Sequence, residues 1–168
     1  MPDPRDHLLS WLKDAHAAEE QAITMLSNLE RRIENYPELK ARIEQHIDET
    51  RRQSARVEEC LKSLGSDTSM LKAVGTKLMG LGQGISGIFT SDEIAKGVLA
   101  CYTFEHMEIA SYRMLVGAAK QAGEAEVQRV CEEILEEEKA MAKWLEDHLE
   151  DLTQKFLARE ATEATAKH

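Results

Sequence analysis

Carboxylate side chains interrupt rows of apolar residues that recur at steps of three and four along the chain. Glu19 lies in the first row, Glu105 and Glu108 lie in the third, and Glu138 lies in the fourth. A three-and-four spacing places residues on one face of a helix, so these acids are expected to face the interior. A buried, unpaired carboxylate costs many kcal/mol, and few Lys or Arg lie in these rows. A bound metal ion is the simplest way to neutralise several such acids.

The spacing of two residue pairs fits the ligands of one metal centre. His46 and Glu49 are three residues apart, as are Glu105 and Glu108. Residues three apart share a helix face, so each pair can present two ligands to one centre. Glu and His are ordinary ligands of iron and manganese inside helical bundles. The sequence therefore predicts a metal site, whose candidate ligands are Glu19, His46, Glu49, Glu105, Glu108 and Glu138.

The residue types leave several roles open. His46 fits either a ligand or a partner that orients a ligand. Tyr112, one turn after Glu108, fits either a hydrogen bond to a carboxylate or a core position with its hydroxyl satisfied elsewhere. For the acids, the alternative is a solvated position, which a shift of one residue in the row would give.

The first two helices are predicted from their apolar rows and their ends. The first row begins at Leu8, and its helix is predicted to stop near residues 35–36. Pro37 suits the first turn of the second helix. That helix is predicted to run to about Leu64, with Gly65 as its C-cap.

The third and fourth helices are predicted in the same way. Thr90 and Glu93 have the form of a capping box that opens the third helix, and Gly123 ends it. The fourth apolar row ends at about residue 157. Residues 1–157 are therefore predicted to form one bundle domain, followed by a flexible C-terminal tail over residues 158–168.

The connections predict the topology. Short turns of about two or three residues join helices one and two, and three and four, so each pair is expected to be an antiparallel hairpin. The 26 residues Gly65–Thr90 lie between the hairpins and contain a predicted short helix, Thr68 to about Leu81, and the glycine-rich run Gly80–Gly87. This connector can span a helix of roughly 42 Å. We therefore expect an all-α four-helix bundle with one long crossover between parallel helices.

Composition excludes several classes of protein. A chain of 168 residues fits a single domain. Its 21 Lys and Arg against 31 Asp and Glu give a net charge of −10, which argues against nucleic-acid binding. No apolar run approaches a membrane span or the core of a signal peptide, so a cytoplasmic protein is expected. The three cysteines are widely separated and predict small buried residues.

Four short segments surround the candidate acids: Ala17–Gln21, His46–Thr50, Glu105–Tyr112 and Leu135–Lys139. Together they resemble the ferritin-like superfamily, and they are most similar to its stress-associated YciE/YciF-like bacterial group. The similarity covers roughly residues 8–149. It implies a ferritin-like bundle with a carboxylate-bridged di-iron centre, often found as a dimer. The acidic ligands that it implies by position are Glu19, Glu49, Glu105 or Glu108, and Glu138.

The chain departs from the ferritin-like pattern on two helices. The second and fourth helices of ferritin and rubrerythrin-like proteins carry Glu-x-x-His. Here Arg52 follows Glu49, and Met141 follows Glu138, at that offset. On the second helix His46 lies three residues before Glu49 instead, and on the third the two glutamates three apart offer a second pair of ligands.

The expected function follows from the acids together with the resemblance. We expect a protein that holds two iron ions per chain, or two manganese ions, and reacts with oxygen or peroxide in a stress response. Ferroxidase or peroxidase chemistry is the activity implied. The competing expectation is a helical structural or interaction protein whose acidic cluster is a relic or shares protons. We expect a homodimer that binds neither nucleic acid nor membrane, rather than a shell-forming storage protein.

Overall fold

A computed structural model describes residues 3–67 and 94–165, with side chains up to residue 162. These ranges form four helices: α1 (Pro4–Glu30), α2 (Pro37–Ser63), α3 (Ile94–Ala122) and α4 (Ala125–Thr165). The predicted all-α four-helix bundle is confirmed. The predicted short helix, the glycine-rich run and the Thr90 capping box lie outside the described residues.

The first hairpin has a longer connection than the sequence predicted. The Asp3 side chain caps α1 by accepting a hydrogen bond from the backbone N–H of Arg5 at 3.1 Å. The helix ends at Glu30, so the predicted end near residues 35–36 is wrong. Residues 31–36 leave the helix ahead of Pro37, which disfavours helical geometry at the preceding Tyr36, and both Ile33 and Tyr36 are buried in the apolar core.

Glycines end α2 and α3 where the sequence predicted them. Gly65 has φ +79° and Gly123 has φ +73°, a conformation that side chains with a Cβ disfavour. In each case the next N–H donates to the carbonyl five residues earlier, at 3.0 and 2.9 Å. This pattern satisfies carbonyls that the helix end leaves free.

Contacts between the hairpins fix their relative direction. Near one end of the bundle, α1 and α3 approach so closely that a Cβ on Gly97 would lie 2.6 Å from Leu29 Cδ1. Further along, Tyr112 of α3 contacts Glu19 of α1, so these helices are antiparallel. Because α1 is also antiparallel to α2, helices α2 and α3 run parallel, as the long connector predicted.

Two separate apolar clusters form the core. One joins the N-terminal halves of α1 and α4 to the C-terminal halves of α2 and α3, and it includes Leu12, Leu61 and Leu115. The other joins the opposite halves and includes Leu26 and Phe104. Buried polar and charged residues lie between the two clusters. The bundle therefore has a polar layer across its middle, closed above and below by hydrocarbon.

The fourth helix continues beyond the predicted domain boundary. It runs to Thr165, and residues 158–162 are exposed. Ala, Arg and Glu in this segment are good helix formers, so helix can persist there without burial. The division into a bundle and a flexible tail stays a prediction. Within the described ranges, no helix is both long and apolar enough to cross a bilayer.

Candidate metal centre

Five of the predicted ligand residues meet in the polar layer. Their side chains come from all four helices, and each residue is exposed by 2% or less; they are Glu19, His46, Glu105, Glu108 and Glu138. Each occupies a position in a row that is otherwise apolar, so burial of the row carries the polar side chain inward. The structure thus brings these four acids and His46 together, and their role as metal ligands stays a prediction.

The five residues form two groups that share one member. His46, Glu105 and Glu138 form the first, here called the His46 group. Glu19, Glu108 and Glu138 form the second, the Glu19 group. Within each group, one ligand atom per residue lies within 4.8 Å of the others. Glu138 therefore stands between two positions, each surrounded by three donors.

Most donor atoms of these groups have no hydrogen-bond partner among the described residues. They include both oxygens of Glu105 and Glu138, one oxygen each of Glu19 and Glu108, and His46 Nε2. Buried polar atoms are normally paired, because an unpaired one loses its hydration without compensation. A set of unpaired oxygens with one imidazole nitrogen is the donor set that iron and manganese accept. The residues therefore fit a metal centre.

Burial controls the protonation of the Glu19 group. It raises the pKa of Glu19 to about 8, even though a hydrogen bond from Tyr112 acts in the opposite direction. Burial and neighbouring carboxylates also raise the pKa of Glu108 and Glu138. Without a cation, burial therefore favours the protonated form of these carboxyl groups. A divalent cation would take the place of those protons.

His46 is the only nitrogen donor of the two groups. Its Nε2 lies 3.2 Å from Glu105 Oε1 and 3.6 Å from Glu138 Oε2. Burial lowers the pKa of His46, but the charges of Glu105 and Glu49 outweigh burial and raise it to about 9. In the metal-free protein, His46 is thus a buried cation among carboxylates.

Glu49 lies on the other side of the imidazole, and it belongs to neither group. Its Oε2 is 2.8 Å from His46 Nδ1 and 3.2 Å from an Arg42 guanidinium nitrogen. Its Oε1 accepts a hydrogen bond from Gln45 Nε2 at 2.7 Å. Burial raises the pKa of Glu49, but His46 and Arg42 outweigh it and lower the pKa to about 2. Of the six predicted ligands, Glu49 is the one that the structure does not bring into a three-residue group.

Tyr112 combines the two roles that the sequence left open. Its side chain is buried, and its hydroxyl donates a hydrogen bond to Glu19 Oε1. The other oxygen of Glu19 stays unpaired among the described residues. Tyr112 thus fixes one oxygen of Glu19 and leaves the other oxygen available to bind a metal ion.

Sequence reasoning missed the polar residues beside the layer. Gln53 is fully buried, and its Nε2 donates to Glu137 Oε2 at 2.8 Å. Ser54 donates its hydroxyl hydrogen to Glu20 Oε1 at 2.6 Å. A signal was present, because the apolar row of α2 has a gap of two turns after Thr50, and these residues fill it.

The family to which the chain belongs is shown by the extent of a sequence match. The model of a domain of unknown function, DUF892, matches residues 3–158. The chain belongs to the DUF892 family. The matched region of DUF892 contains every residue of the His46 and Glu19 groups, so the candidate metal centre lies inside the family domain.

Individual relatives agree with this assignment. The chain is 32% identical to protein YciF of Escherichia coli K12 over 140 residues, which are 80% of this chain and 83% of YciF. The crystal structure of the E. coli stress protein YciF matches with a TM-score of 0.79 at 28% identity, covering 92% of this chain and 99% of that one. A crystal structure of a Xanthomonas campestris protein also gives a TM-score of 0.79, at 45% identity over 95% and 99% of the two chains. The similarity to the YciE/YciF-like group is thus confirmed for this DUF892 protein.

Proposed function

We propose that this protein binds two iron or manganese ions per chain in the polar layer and reacts there with oxygen or peroxide. The observation that carries the proposal is the pair of three-residue groups that share Glu138. A carboxylate between two metal positions can bind one ion through each oxygen, which is the bridging arrangement of dinuclear carboxylate centres.

Charge balance supports two ions rather than one. The two groups together contain four carboxylates and one imidazole: Glu19, Glu105, Glu108, Glu138 and His46. Four ionised carboxylates with a neutral imidazole carry a charge of −4, which two divalent cations neutralise. One divalent ion would neutralise only two of the carboxylates and leave the other two dependent on bound protons, because an uncompensated charge is expensive in a low-dielectric interior.

The protein contributes ligands, orientation and exclusion of water. When bound, a pair of redox-active ions would supply electrons to oxygen or peroxide. The carboxylates hold the two positions, and Tyr112 holds Glu19 in place. Apolar residues on both sides of the layer, such as Leu12 and Phe104, limit the access of water. A role in a stress response rests on the similarity to YciF, which is described as a stress protein. Location in the cytoplasm and assembly as a homodimer belong to the same proposal.

Metal titration tests the proposal. The purified chain, loaded without oxygen with Fe²⁺ or Mn²⁺ and then desalted, is expected to retain two ions per chain by elemental analysis. Adding oxygen or peroxide to the iron-loaded protein is expected to change its near-ultraviolet and visible absorbance. A suitable control is Glu136→Ala, because Glu136 is exposed and pairs with Lys139. Retention of well below one ion per chain, with either metal, would refute the proposal.

The competing proposal is a structural helical protein whose polar layer shares protons. The raised pKa values of the Glu19 group, caused by burial, favour it, because protonated carboxyl groups need no cation. In that case, metal would not raise the melting temperature of the protein. The two proposals therefore differ in one simple thermal-melting experiment.

A further inference from the structure

We propose that Glu49 is a positioning residue, which holds the His46 ring with a proton on Nδ1 and with Nε2 directed at the metal position of the His46 group. This inference rests on the proposed metal centre. It assigns Glu49 a role different from that of a ligand.

The two nitrogen atoms of the His46 ring have different surroundings. Nδ1 lies 2.8 Å from Glu49 Oε2, which is hydrogen-bond distance. Nε2 lies 3.2 Å from Glu105 and 3.6 Å from Glu138, and it has no hydrogen bond among the described residues. A neutral imidazole protonates one nitrogen and offers the lone pair of the other. A carboxylate acceptor at Nδ1 therefore leaves Nε2 as the donor to a metal.

Glu49 is itself held by residues of its own helix. Gln45 donates to its Oε1 at 2.7 Å, and Arg42 lies 3.2 Å from its Oε2. Only 10% of the Arg42 side chain and 13% of the Glu49 side chain are exposed. Both oxygens of Glu49 thus already have partners. By contrast, neither oxygen of Glu105 has a hydrogen-bond partner among the described residues, and its Oε1 forms an ion pair with His46 Nε2 at 3.2 Å.

The backbone of His46 is fixed as well. The hydroxyl of Thr50 donates to the carbonyl of His46 at 2.8 Å, inside the buried layer. The contact of Nδ1 with Glu49 then restricts both the flip and the tautomer of the ring. Partners that orient a metal-binding histidine typically change metal affinity by about 10- to 100-fold when they are removed. The larger effect is expected at the metal position of the His46 group, because Glu49 lies at hydrogen-bond distance from His46, which belongs to that group alone.

The test compares four full-length proteins: the wild type, Glu49→Leu, Glu49→Gln and Asp48→Asn. Asp48 is an exposed neighbour that pairs with Arg51, so its variant matches the change in charge without touching His46. Isothermal titration with Mn²⁺ gives the affinity of each position. Glu49→Leu is expected to weaken one of the two affinities by about 10- to 100-fold and to change the other by less. Glu49→Gln, whose amide oxygen still accepts from Nδ1–H, is expected to lose less Mn²⁺ affinity than Glu49→Leu. Asp48→Asn is expected to bind Mn²⁺ with the wild-type affinities.

A spectroscopic measurement separates positioning from general stability. Long-range ¹H–¹⁵N spectra of the protein loaded with diamagnetic Zn²⁺ are expected to show His46 with hydrogen on Nδ1 and metal on Nε2. The Glu49→Leu variant is expected to lose this single tautomer, and Glu49→Gln is expected to keep it. If Glu49→Leu does not fold, Glu49→Ala, which also removes the acceptor of Nδ1–H, takes its place.

Two results would overturn the inference. One is a Glu49→Leu protein, or a Glu49→Ala protein where the leucine variant does not fold, that has both wild-type affinities and the wild-type tautomer. The other is an equal loss of Mn²⁺ affinity in Glu49→Gln and Glu49→Leu, which would mean that Glu49 binds the metal itself through its charge. A wild-type protein that binds no Mn²⁺ would instead refute the proposed metal centre, so the two failures are distinguishable.

Discussion

The two halves of the polar layer stabilise buried charge in different ways. The His46 group places a cationic imidazole among carboxylates and connects through Glu49 and Arg42 to partly exposed positions. The Glu19 group contains only carboxyl groups, and its neighbour Tyr112 is buried with it. One half therefore contains an ion pair, whereas in the other half burial raises the pKa of every carboxyl group and favours its protonated form. A bound pair of metal ions would take over the charge compensation in both halves.

This difference also separates the donors. The His46 group offers nitrogen and oxygen, a combination that suits iron, whereas the all-oxygen Glu19 group suits harder ions such as Mn²⁺ as well. Glu138 belongs to both groups, so occupation of one position changes the charge at the other. Variants that affect one group, the other, or both should therefore give distinct results.

Glu138→Leu is expected to have the largest effect, because it removes the residue that both groups share. Metal content is expected to fall from two ions per chain to none. The metal-free variant is expected to be more stable than the wild type at pH 8 by about 1–4 kcal/mol, since a similar-sized apolar residue replaces a buried acid. Elemental analysis and denaturant unfolding measure the two effects. Two ions retained in Glu138→Leu would show that the groups are not the binding sites.

Single-group variants are expected to have about half of that effect on metal content. His46→Leu removes the nitrogen donor of one group, and Glu19→Leu removes a carboxylate of the other. Each variant is expected to retain one ion per chain by elemental analysis. The exposed variant Glu136→Ala serves as the control and is expected to keep two. If either single variant lost both ions as completely as Glu138→Leu, the two positions could not be treated as separable.

The pH dependence of metal-free stability has a defined direction. The pKa of Glu19 rises from 4.5 to about 8 on folding through burial, so the folded state binds more protons between these values. The pKa of His46 also rises, from 6.5 to about 9, because Glu105 and Glu49 outweigh burial. Both contributions to the free energy of unfolding are therefore complete at low pH and are lost as pH rises, Glu19 between pH 4.5 and 8 and His46 between pH 6.5 and 9.

Denaturant unfolding of metal-free protein from pH 5 to 9 measures this loss. A contribution of opposite sign comes from Glu49, whose pKa of about 2 gives stability that is lost only below pH 4.5. Added Mn²⁺ is expected to reverse the trend above pH 7, because metal binding releases protons and strengthens as pH rises. A metal-free protein whose stability increased from pH 5 to 9 would contradict the assigned burial of these groups.

Tyr112→Phe is expected to have the smallest effect. It removes the hydrogen bond to Glu19 but keeps the aromatic ring in the core. A loss of about 1–3 kcal/mol in unfolding free energy is expected, because a buried carboxyl oxygen loses its partner. Both ions are expected to stay bound, with the weaker affinity confined to the Glu19 group. Complete loss of metal in Tyr112→Phe would mean that the hydroxyl is itself a ligand.

The periodic part of the fold could be predicted from the sequence. Apolar rows at helical spacing place Glu19, Glu105, Glu108 and Glu138 inside, and the glycines after α2 and α3 mark their ends. These features depend on neighbours in sequence, which a single chain reveals.

Features that depend on packing between helices could not be predicted in the same way. The spacing of three residues put Glu49 beside His46, but it did not show that Glu49 lies at Nδ1, away from the other acids. Nor did it show that α1 ends at Glu30, because Ile33 continues the apolar row by its spacing and yet lies in the connection, packed in the core. The burial of Gln53 was missed because its hydrogen-bond partner, Glu137, lies on α4.

The central claim is that the polar layer holds two metal positions on either side of Glu138. Anomalous diffraction from crystals of Mn²⁺-loaded protein, collected on both sides of the manganese absorption edge, tests it most directly. We predict two anomalous peaks per chain, one beside His46 and Glu105 and the other beside Glu19 and Glu108, with Glu138 between them. The absence of any peak in the layer, or a single peak away from Glu138, would contradict the claim.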